Sequence, residues 1–143
     1  MLQLRKAELT DAAVLGVMNE QLIHDERHTN PQRGDQLVQR MRDWLSADYE
    51  AAIGTVQDSP ALYALWRHQP DGDIFLRQFF VASEFRRQGL GIAAMNQLLD
   101  QYWPAGHAVH LEVLTHNHTG QRFWRSVGFA EYSIQMRHPG RES

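Results

Sequence analysis

The sequence contains no cysteine, no long apolar run and no dense basic segment, and each absence excludes a class of protein. Without cysteine there are no disulfides, thiolate metal sites or cysteine nucleophile, which fits a reducing cytoplasm. No apolar run approaches the ~20 residues of a membrane span, and the N-terminus lacks the shape of a signal peptide. The net charge is −3, and the one basic cluster, Arg86-Arg87, is too short for a nucleic-acid-binding stripe. We therefore expect a cytoplasmic protein that binds neither nucleic acid nor membrane.

The length and the hydrophobic pattern predict a single mixed α/β domain over residues 1–143. With 43% hydrophobic and 22% charged residues, the chain has an ordinary globular composition. Its periodicity predicts the order strand, two helices, three strands, helix, strand, helix, strand. The strands are predicted over Leu2 to Ala7, Tyr49 to Val56, Ala61 to His68, Ile74 to Ala82, His107 to Leu114 and Phe129 to Met136. The helices are predicted over Asp11 to Asp25 with Thr10 as N-cap, around Leu37 to Leu45, from Gly91 to Tyr102, and over Thr119 to Val127.

The most informative segment is Arg86-Arg87-Gln88-Gly89-Leu90-Gly91, between a predicted strand and a predicted helix. Its two glycines let the backbone turn tightly and bring several N–H groups close to one anion. The following helix adds the positive end of its dipole, and the arginines add phosphate donors. The segment predicts a pocket for a pyrophosphate.

Three other interpretations of these glycines can be compared with that one. Gly89 to Ala94 also fits a dinucleotide fingerprint, with Glu112 roughly 20 residues on, where a ribose-binding acid is expected. However, the predicted strand ends several residues before Gly89, whereas the dinucleotide turn follows its strand almost directly. Fewer than about 60 residues follow the loop, which is too few for the remaining strands of a doubly wound sheet, and that fold has no use for arginines before the glycines. A P-loop is excluded because no Gly-Lys-Ser or Gly-Lys-Thr occurs. A solvated turn without a ligand stays open on the glycine spacing alone.

The chain resembles a known family in two halves. Arg86-x-x-Gly89-x-Gly91 after a long strand is similar to the acetyl-CoA motif of the GCN5-related N-acetyltransferases, the GNAT superfamily. Leu111-Glu112-Val113, Asn117, Phe123-Trp124 and Gly128-Phe129 follow at the spacing of that family. The resemblance implies the GNAT fold, an α/β (mixed α+β) arrangement with a mixed, mostly antiparallel sheet of six to seven strands and about four helices. It also implies acetyl transfer from acetyl-CoA to an amine without metal or covalent enzyme intermediate, and a homodimer would be common in this family.

The resemblance implies which residues contact the cofactor. They are Phe79, Phe80, Val81, Arg86, Arg87, Gln88, Gly89, Leu90, Gly91, Asn117 and Trp124. The pantetheine arm would pair with the backbone of Phe79 to Val81 as an added strand. The N–H of Val81, at a bulge in the strand, would stabilise the oxyanion. The alternatives are core packing for Phe79 and Phe80, and a plain helix N-cap for Asn117.

Two catalytic groups follow from the same resemblance. Glu112 stands where the ribosomal-protein alanine acetyltransferases have a catalytic glutamate, so it is the candidate general base. Its alternative is a polar residue on the open sheet face or an ion-pair partner. Trp124 replaces the tyrosine that many members use to protonate the departing thiolate, and an indole N–H is not a usable acid near neutral pH. The thiolate is a fairly good leaving group that water can protonate, and the alternative substitute acid is Tyr132 on the last predicted strand.

The acceptor would be a small amine or an N-terminal amine. In this family the loop after the first helix lines the acceptor pocket, which implicates Gln21, His24, Asp25 and Glu26, with His116 as a further candidate. The pairs His24/His28 and His116/His118 do not by themselves supply the three or four converging ligands of a zinc site, so no metal is expected. The competing hypothesis is a non-catalytic acyl-CoA-binding or regulatory module with the same fold.

Overall fold

The computed structural model describes residues 1–26 and 30–142. Its contacts divide the chain into two compact units, Met1–Glu112 and Val113–Ser143. His28, named above in a histidine pair, lies outside the described residues. The single domain over residues 1–143 stays a prediction.

One mixed sheet organises the first unit. Its strands, in spatial order, are β1 (Leu2–Lys6), β2 (Tyr49–Val56), β3 (Ser59–His68), β4 (Ile74–Val81) and β5 (Val109–His110). The first four pair antiparallel, and β5 joins β4 in parallel. The mixed, mostly antiparallel sheet is therefore confirmed, with five strands rather than six or seven.

The four predicted helices are confirmed. They are α1 (Ala12–Asp25), α2 (Asp35–Ser46), α3 (Leu90–Gln97) and α4 (His118–Ser126). A π-helical turn, Leu98–Tyr102, extends α3 to the segment before Pro104. The prediction of Thr10 as the N-cap of α1 is wrong: a 3-10 turn, Leu9–Asp11, precedes the helix, and Asp11 is the cap residue.

The sheet carries packed layers on both faces. The face toward α1 and α2 holds a cluster that includes Leu15, Met41, Tyr63, Leu65 and Phe80. Alternation along β3 turns Trp66 to the opposite face, where its ring meets Tyr102 at 6.3 Å and Trp103 at 5.6 Å between centroids. The end of α3 and its π-turn therefore cover the second face.

One predicted strand is shorter than expected and another is absent from the described residues, for one physical reason. Of the strand predicted from His107 to Leu114, only Val109–His110 pairs with β4, and residues 129–136 form no strand. Alternating apolar residues make a strand only where a neighbouring strand completes the hydrogen-bond ladder. Tyr132, Ile134 and Met136 do alternate, but they are 86%, 87% and 88% exposed.

Candidate functional site

The loop between β4 and α3 contains two left-handed residues. Arg87 has φ +62° and Gly89 has φ +76°. Gly89 is the N-cap of α3, and no side chain of the described residues caps that helix. The first intrahelical hydrogen bond runs from Ala93 N–H to Gly89 O at 3.1 Å. The N–H groups before it have no intrahelical acceptor, which is the arrangement that binds anions at a helix start.

The two arginines of this loop have different surroundings. Arg86 donates from Nε to Val81 O at 2.8 Å and from Nη2 to Asp25 Oδ2 at 2.6 Å, and its guanidinium lies 5.5 Å from the Phe80 ring centroid. Arg87 is exposed and makes no side-chain hydrogen bond or ion pair within the part of the chain that the structure describes. Arg86 therefore ties the loop to β4 and to the end of α1, whereas Arg87 is directed to solvent. Phosphate contact by either stays a prediction.

The edge of β4 away from β3 carries the predicted oxyanion donor. Ala82 N–H donates to Ala61 O at 2.8 Å across the β3–β4 pair. Because hydrogen-bonding directions alternate along a strand, the N–H of Val81 is directed away from β3. Val81 O, on the same edge, accepts from Arg86. Within the described residues β5 pairs with β4 only at Ile74 and Phe75, so no strand lies beside Val81 there.

The bulge in β4 is not at Val81, as the sequence had suggested. Leu65 pairs with Gln78 and Trp66 with Leu76, so Arg77 is the extra residue. Val81 itself pairs regularly with Leu62. The core-packing interpretation is confirmed for Phe80, which is 3% exposed; Phe79 is half-buried. The backbone roles proposed for both stay predictions.

A buried polar network lies between α1, α2 and the sheet. Asn19 is fully buried and donates to Tyr63 Oη at 3.2 Å and to Gln78 Oε1 at 3.3 Å. Tyr63 donates to Gln78 Oε1 at 2.8 Å, and Arg40 donates from Nη2 to Asn19 Oδ1 at 2.7 Å. Burial raises the pKa of Tyr63, and the carboxylate of Glu26 acts in the same direction. Tyr63 therefore stays a neutral hydrogen-bond donor.

Beside this network lies a cluster of arginine and aromatic side chains. The guanidinium carbons of Arg40 and Arg77 lie 4.6 Å and 4.9 Å from the Trp44 ring centroid. Arg77 Nη1 also donates to Tyr49 Oη at 3.2 Å. Burial lowers the pKa of Arg40, and the charge of Arg77 lowers it further. Arg40 Nε is buried without a hydrogen-bond partner.

Sequence reasoning missed Arg40 and Arg77, although signals for both were present. Arg40 lies three residues after Leu37 and four before Trp44, so it shares their side of α2. Arg77-Gln78 interrupts the strand alternation with two consecutive polar residues, which is a bulge signal.

The predicted base lies at the margin of the sheet. Glu112 is exposed and stands two residues after β5, not within a strand. Just before it, His110 Nε2 lies 3.0 Å from Asp73 Oδ2, and this hydrogen bond lowers the pKa of Asp73. The same carboxylate accepts from Ala108 N–H at 3.1 Å, which fixes the start of β5 against β4. The role of Glu112 as base stays a prediction.

The predicted acceptor residues of the first unit lie together at the end of α1. Gln21, His24 and Asp25 stand in its last turns, Glu26 is its C-cap, and all four are exposed. Of these, Asp25 is engaged by Arg86. Contact of this group with an acceptor stays a prediction.

In the second unit, α4 presents Asn117 and Trp124. Asn117 is the N-cap and accepts from Gly120 N–H at 2.9 Å, so its capping role is confirmed. The Trp124 ring contacts Phe123 and Phe129 at centroid distances of 4.9 Å and 5.3 Å. His116 is exposed, and Tyr132 is exposed outside any strand. The cofactor, acceptor and acid roles given to these residues stay predictions.

Two broader features of the described residues bear on function. Within residues 1–26 and 30–142, no three or more His, Asp or Glu side chains come together in a group that could hold a metal ion. In the same ranges, no helix combines the length and the apolar character needed to cross a membrane.

Comparison with known proteins gives a consistent family. The model of the acetyltransferase (GNAT) family matches residues 19–129. No curated protein sequence matches significantly. Among solved structures, a possible acetyltransferase from Clostridium difficile 630 has a TM-score of 0.78 at 18% identity, covering 100% of this chain and 99% of its own.

Two further solved structures carry more specific names. The aminoglycoside N-acetyltransferase AAC(6')-Iy in complex with CoA has a TM-score of 0.75 at 18% identity, covering 99% of this chain and 95% of its own. The ribosomal-protein-alanine N-acetyltransferase from Brucella melitensis biovar Abortus 2308 has a TM-score of 0.68 at 13% identity, covering 96% and 99%. At these identities the likeness establishes the fold.

Proposed function

The chain belongs to the acetyltransferase (GNAT) family, and on that premise we propose that it transfers the acetyl group of acetyl-CoA to a primary amine by direct attack in a ternary complex. The observation that carries the proposal is the start of α3. Its N-cap, Gly89, is left-handed, no described side chain caps the helix, and a short loop joins it to the open edge of β4. A pyrophosphate and a pantetheine arm need these two features side by side.

The cofactor would lie along this edge in one direction. The amides of Gln88 to Gly91 would bind the pyrophosphate, and the exposed Arg87 would add a cation. Because the loop follows Val81 in the chain, the pantetheine would run back along β4 toward Arg77. A protein with the same fold forms a complex with CoA, which supports CoA as the ligand.

The reaction needs few protein groups. The amine nitrogen attacks the thioester carbonyl carbon, a C–N bond forms, the C–S bond breaks, and the sulfur leaves as a thiolate. The N–H of Val81 would stabilise the oxyanion, which is worth about 3 kcal/mol for one donor. Glu112, directly or through water, would accept the proton that the amine loses. Since Trp124 cannot protonate the thiolate, Tyr132 or water would do so.

The fold leaves the acceptor open. One structure with this fold is an aminoglycoside enzyme, and another acts on ribosomal-protein alanine. Small amines and N-terminal amines therefore both belong in a first screen.

The test is release of free CoA thiol from acetyl-CoA, measured across a panel of amines, with mass spectrometry of the N-acetyl product. We expect amine-dependent release, and an Arg87→Ala variant with a raised KM for acetyl-CoA and little change in kcat. Arg42→Ala, an exposed arginine of α2, is the matched control. If the protein binds acetyl-CoA but acetylates no amine of the panel, the catalytic proposal fails.

A further inference from the structure

We propose that Arg40 and Arg77 form an anion-binding site, and that the acceptor is therefore an amine that also carries a carboxylate. This inference rests on the proposed acetyl transfer and deepens it by giving the chemical class of the acceptor. It depends on three observations: the charge of this cluster, its polar contacts and its place on β4.

Among residues 1–26 and 30–142, no ion pair compensates the charge of the two arginines. None of the ion pairs among the described residues includes Arg40 or Arg77. The guanidinium carbons of Arg40 and Arg77 lie 4.6 Å and 4.9 Å from the same Trp44 ring centroid, so the two charges belong to one cluster. Besides burial, the charge of Arg77 helps to lower the pKa of the half-buried Arg40, and an anion bound between the two guanidinium groups would relieve this repulsion.

The polar contacts leave hydrogen-bonding capacity for such an anion. Arg40 uses Nη2 on Asn19, and its Nε has no partner. Arg77 uses Nη1 on Tyr49. The remaining N–H groups of the two guanidinium forks suit carboxylate oxygens, which arginine binds with good geometry. The stacking on Trp44 holds both forks in place before the anion arrives.

The position on β4 connects this cluster to the reaction. Arg77 is the bulge residue, four positions before Val81, which is about 13 Å at the rise of a β-strand. With its carbonyl oxygen on the N–H of Val81, the thioester would be the end of the pantetheine nearest to that bulge. A carboxylate held there would leave the amine of the same molecule near the thioester. A polycationic acceptor would be repelled by the same two charges.

The experiment compares amines that differ only in charge at the far end. The pairs are glycylglycine with glycylglycinamide and 4-aminobutyrate with 4-aminobutyramide, with phosphoethanolamine as a separate arm. We expect kcat/KM to be at least tenfold higher for the acids than for the amides. Arg77→Gln should abolish the preference, mainly through KM for the acid, while Arg77→Lys should retain part of it. Arg42→Gln, at an exposed arginine two residues further along α2, should leave it unchanged.

Each outcome decides the inference. Equal rates for acids and amides, or a preference that survives Arg77→Gln in a folded protein, would overturn it. A preference for phosphoethanolamine over both acids would overturn the carboxylate assignment. Arg40→Gln is a secondary variant, because Arg40 also bonds buried Asn19 and its loss can unfold the protein.

Failure of the proposed function is distinguishable from failure of this inference. If no amine of either series is acetylated, acetyl transfer fails. Calorimetry with CoA present then tests the anion site alone, using N-acetylglycylglycine and its amide as probes. Binding of the acid at least tenfold tighter than the amide, lost in Arg77→Gln, supports the site, and equal binding overturns it.

Discussion

Gly89→Ala is the sharpest test of the phosphate loop, because its two effects can be separated. Gly89 has φ +76°, and a Cβ added there would meet no atom within 4 Å. The substitution is therefore strained without a steric clash in the unliganded protein. A left-handed conformation costs an L-residue about 1–2 kcal/mol. In a chain of this size each kcal/mol lowers Tm by about 3–5 °C, so we expect a folded variant with a modestly reduced Tm.

The second effect of Gly89→Ala is on acetyl-CoA. The methyl group would occupy the open side of the turn, where the pyrophosphate has to approach the amides. We expect the affinity to fall at least tenfold, which corresponds to about 1.4 kcal/mol. Titration calorimetry at 25 °C measures this with both proteins folded.

Gly106→Ala is the matched control for this substitution. Gly106 lies in the loop before β5, has φ +83°, and likewise has no atom within 4 Å of an added Cβ. It should lower Tm by a similar amount and leave acetyl-CoA affinity unchanged. If both variants lose the same stability and Gly89→Ala also keeps the wild-type Kd, the anion does not bind at this turn and the reasoning is refuted.

Three further predictions follow from the same region and its neighbours. Glu112→Gln should lower turnover roughly 10²-fold and leave acetyl-CoA affinity unchanged, and the loss of turnover should shrink as pH rises because more of the amine is already neutral. Intact turnover at pH 7 would place the base elsewhere. Arg87→Gly should relieve the strain at φ +62°, raising Tm by the equivalent of about 1 kcal/mol while raising KM for acetyl-CoA; a lower Tm would contradict it. Asp25→Asn removes an exposed ion pair with Arg86, so denaturant titration should show a loss below about 1 kcal/mol; a loss above 2 kcal/mol would contradict that account.

Local patterns predicted most of the fold because the structures they specify are local. Leu37 and Met41 repeat at helical spacing, and both are fully buried on α2. Gly128 follows the last helix and has φ +100°, the left-handed conformation that glycine favours after a helix end. The loop motif likewise specifies its own geometry, since a glycine at the start of α3 is the residue that adopts φ +76° without strain.

The errors arose where a partner distant in sequence decides the structure. Asp11 stands at the N-cap position of α1, but its carboxylate binds Arg5 on β1 at 2.8 Å through both oxygens and accepts from Glu8 N–H, which fixes the 3-10 turn before the helix. The hairpin between β2 and β3 turns at Gln57 and Asp58, which both adopt positive φ although neither is glycine. The type I′ turn needs positive φ at both central residues and matches the twist of the paired strands, so the pairing of β2 with β3 selects this conformation.

The bulge at Arg77 shows why the site residues were harder to predict than the fold. In a regular strand with no bulge, alternation would place one set of residues on the same side of the sheet: Ile74, Leu76, Gln78 and Phe80. The extra residue moves Gln78 and Phe80 to the α1–α2 side, where they meet Tyr63, and leaves Leu76 opposite Trp66.

Arg77 and Gln78 are consecutive, and yet both reach the α1–α2 side, Arg77 at Tyr49 and Gln78 at Asn19. The register of β3 against β4 therefore creates the polar site, and the identity of Arg77 only gives it charge. For that reason Arg77→Gln is an informative perturbation: it removes the charge and keeps the register. Deleting Arg77 would remove the bulge together with the charge, so it could not distinguish a lost anion site from an altered strand.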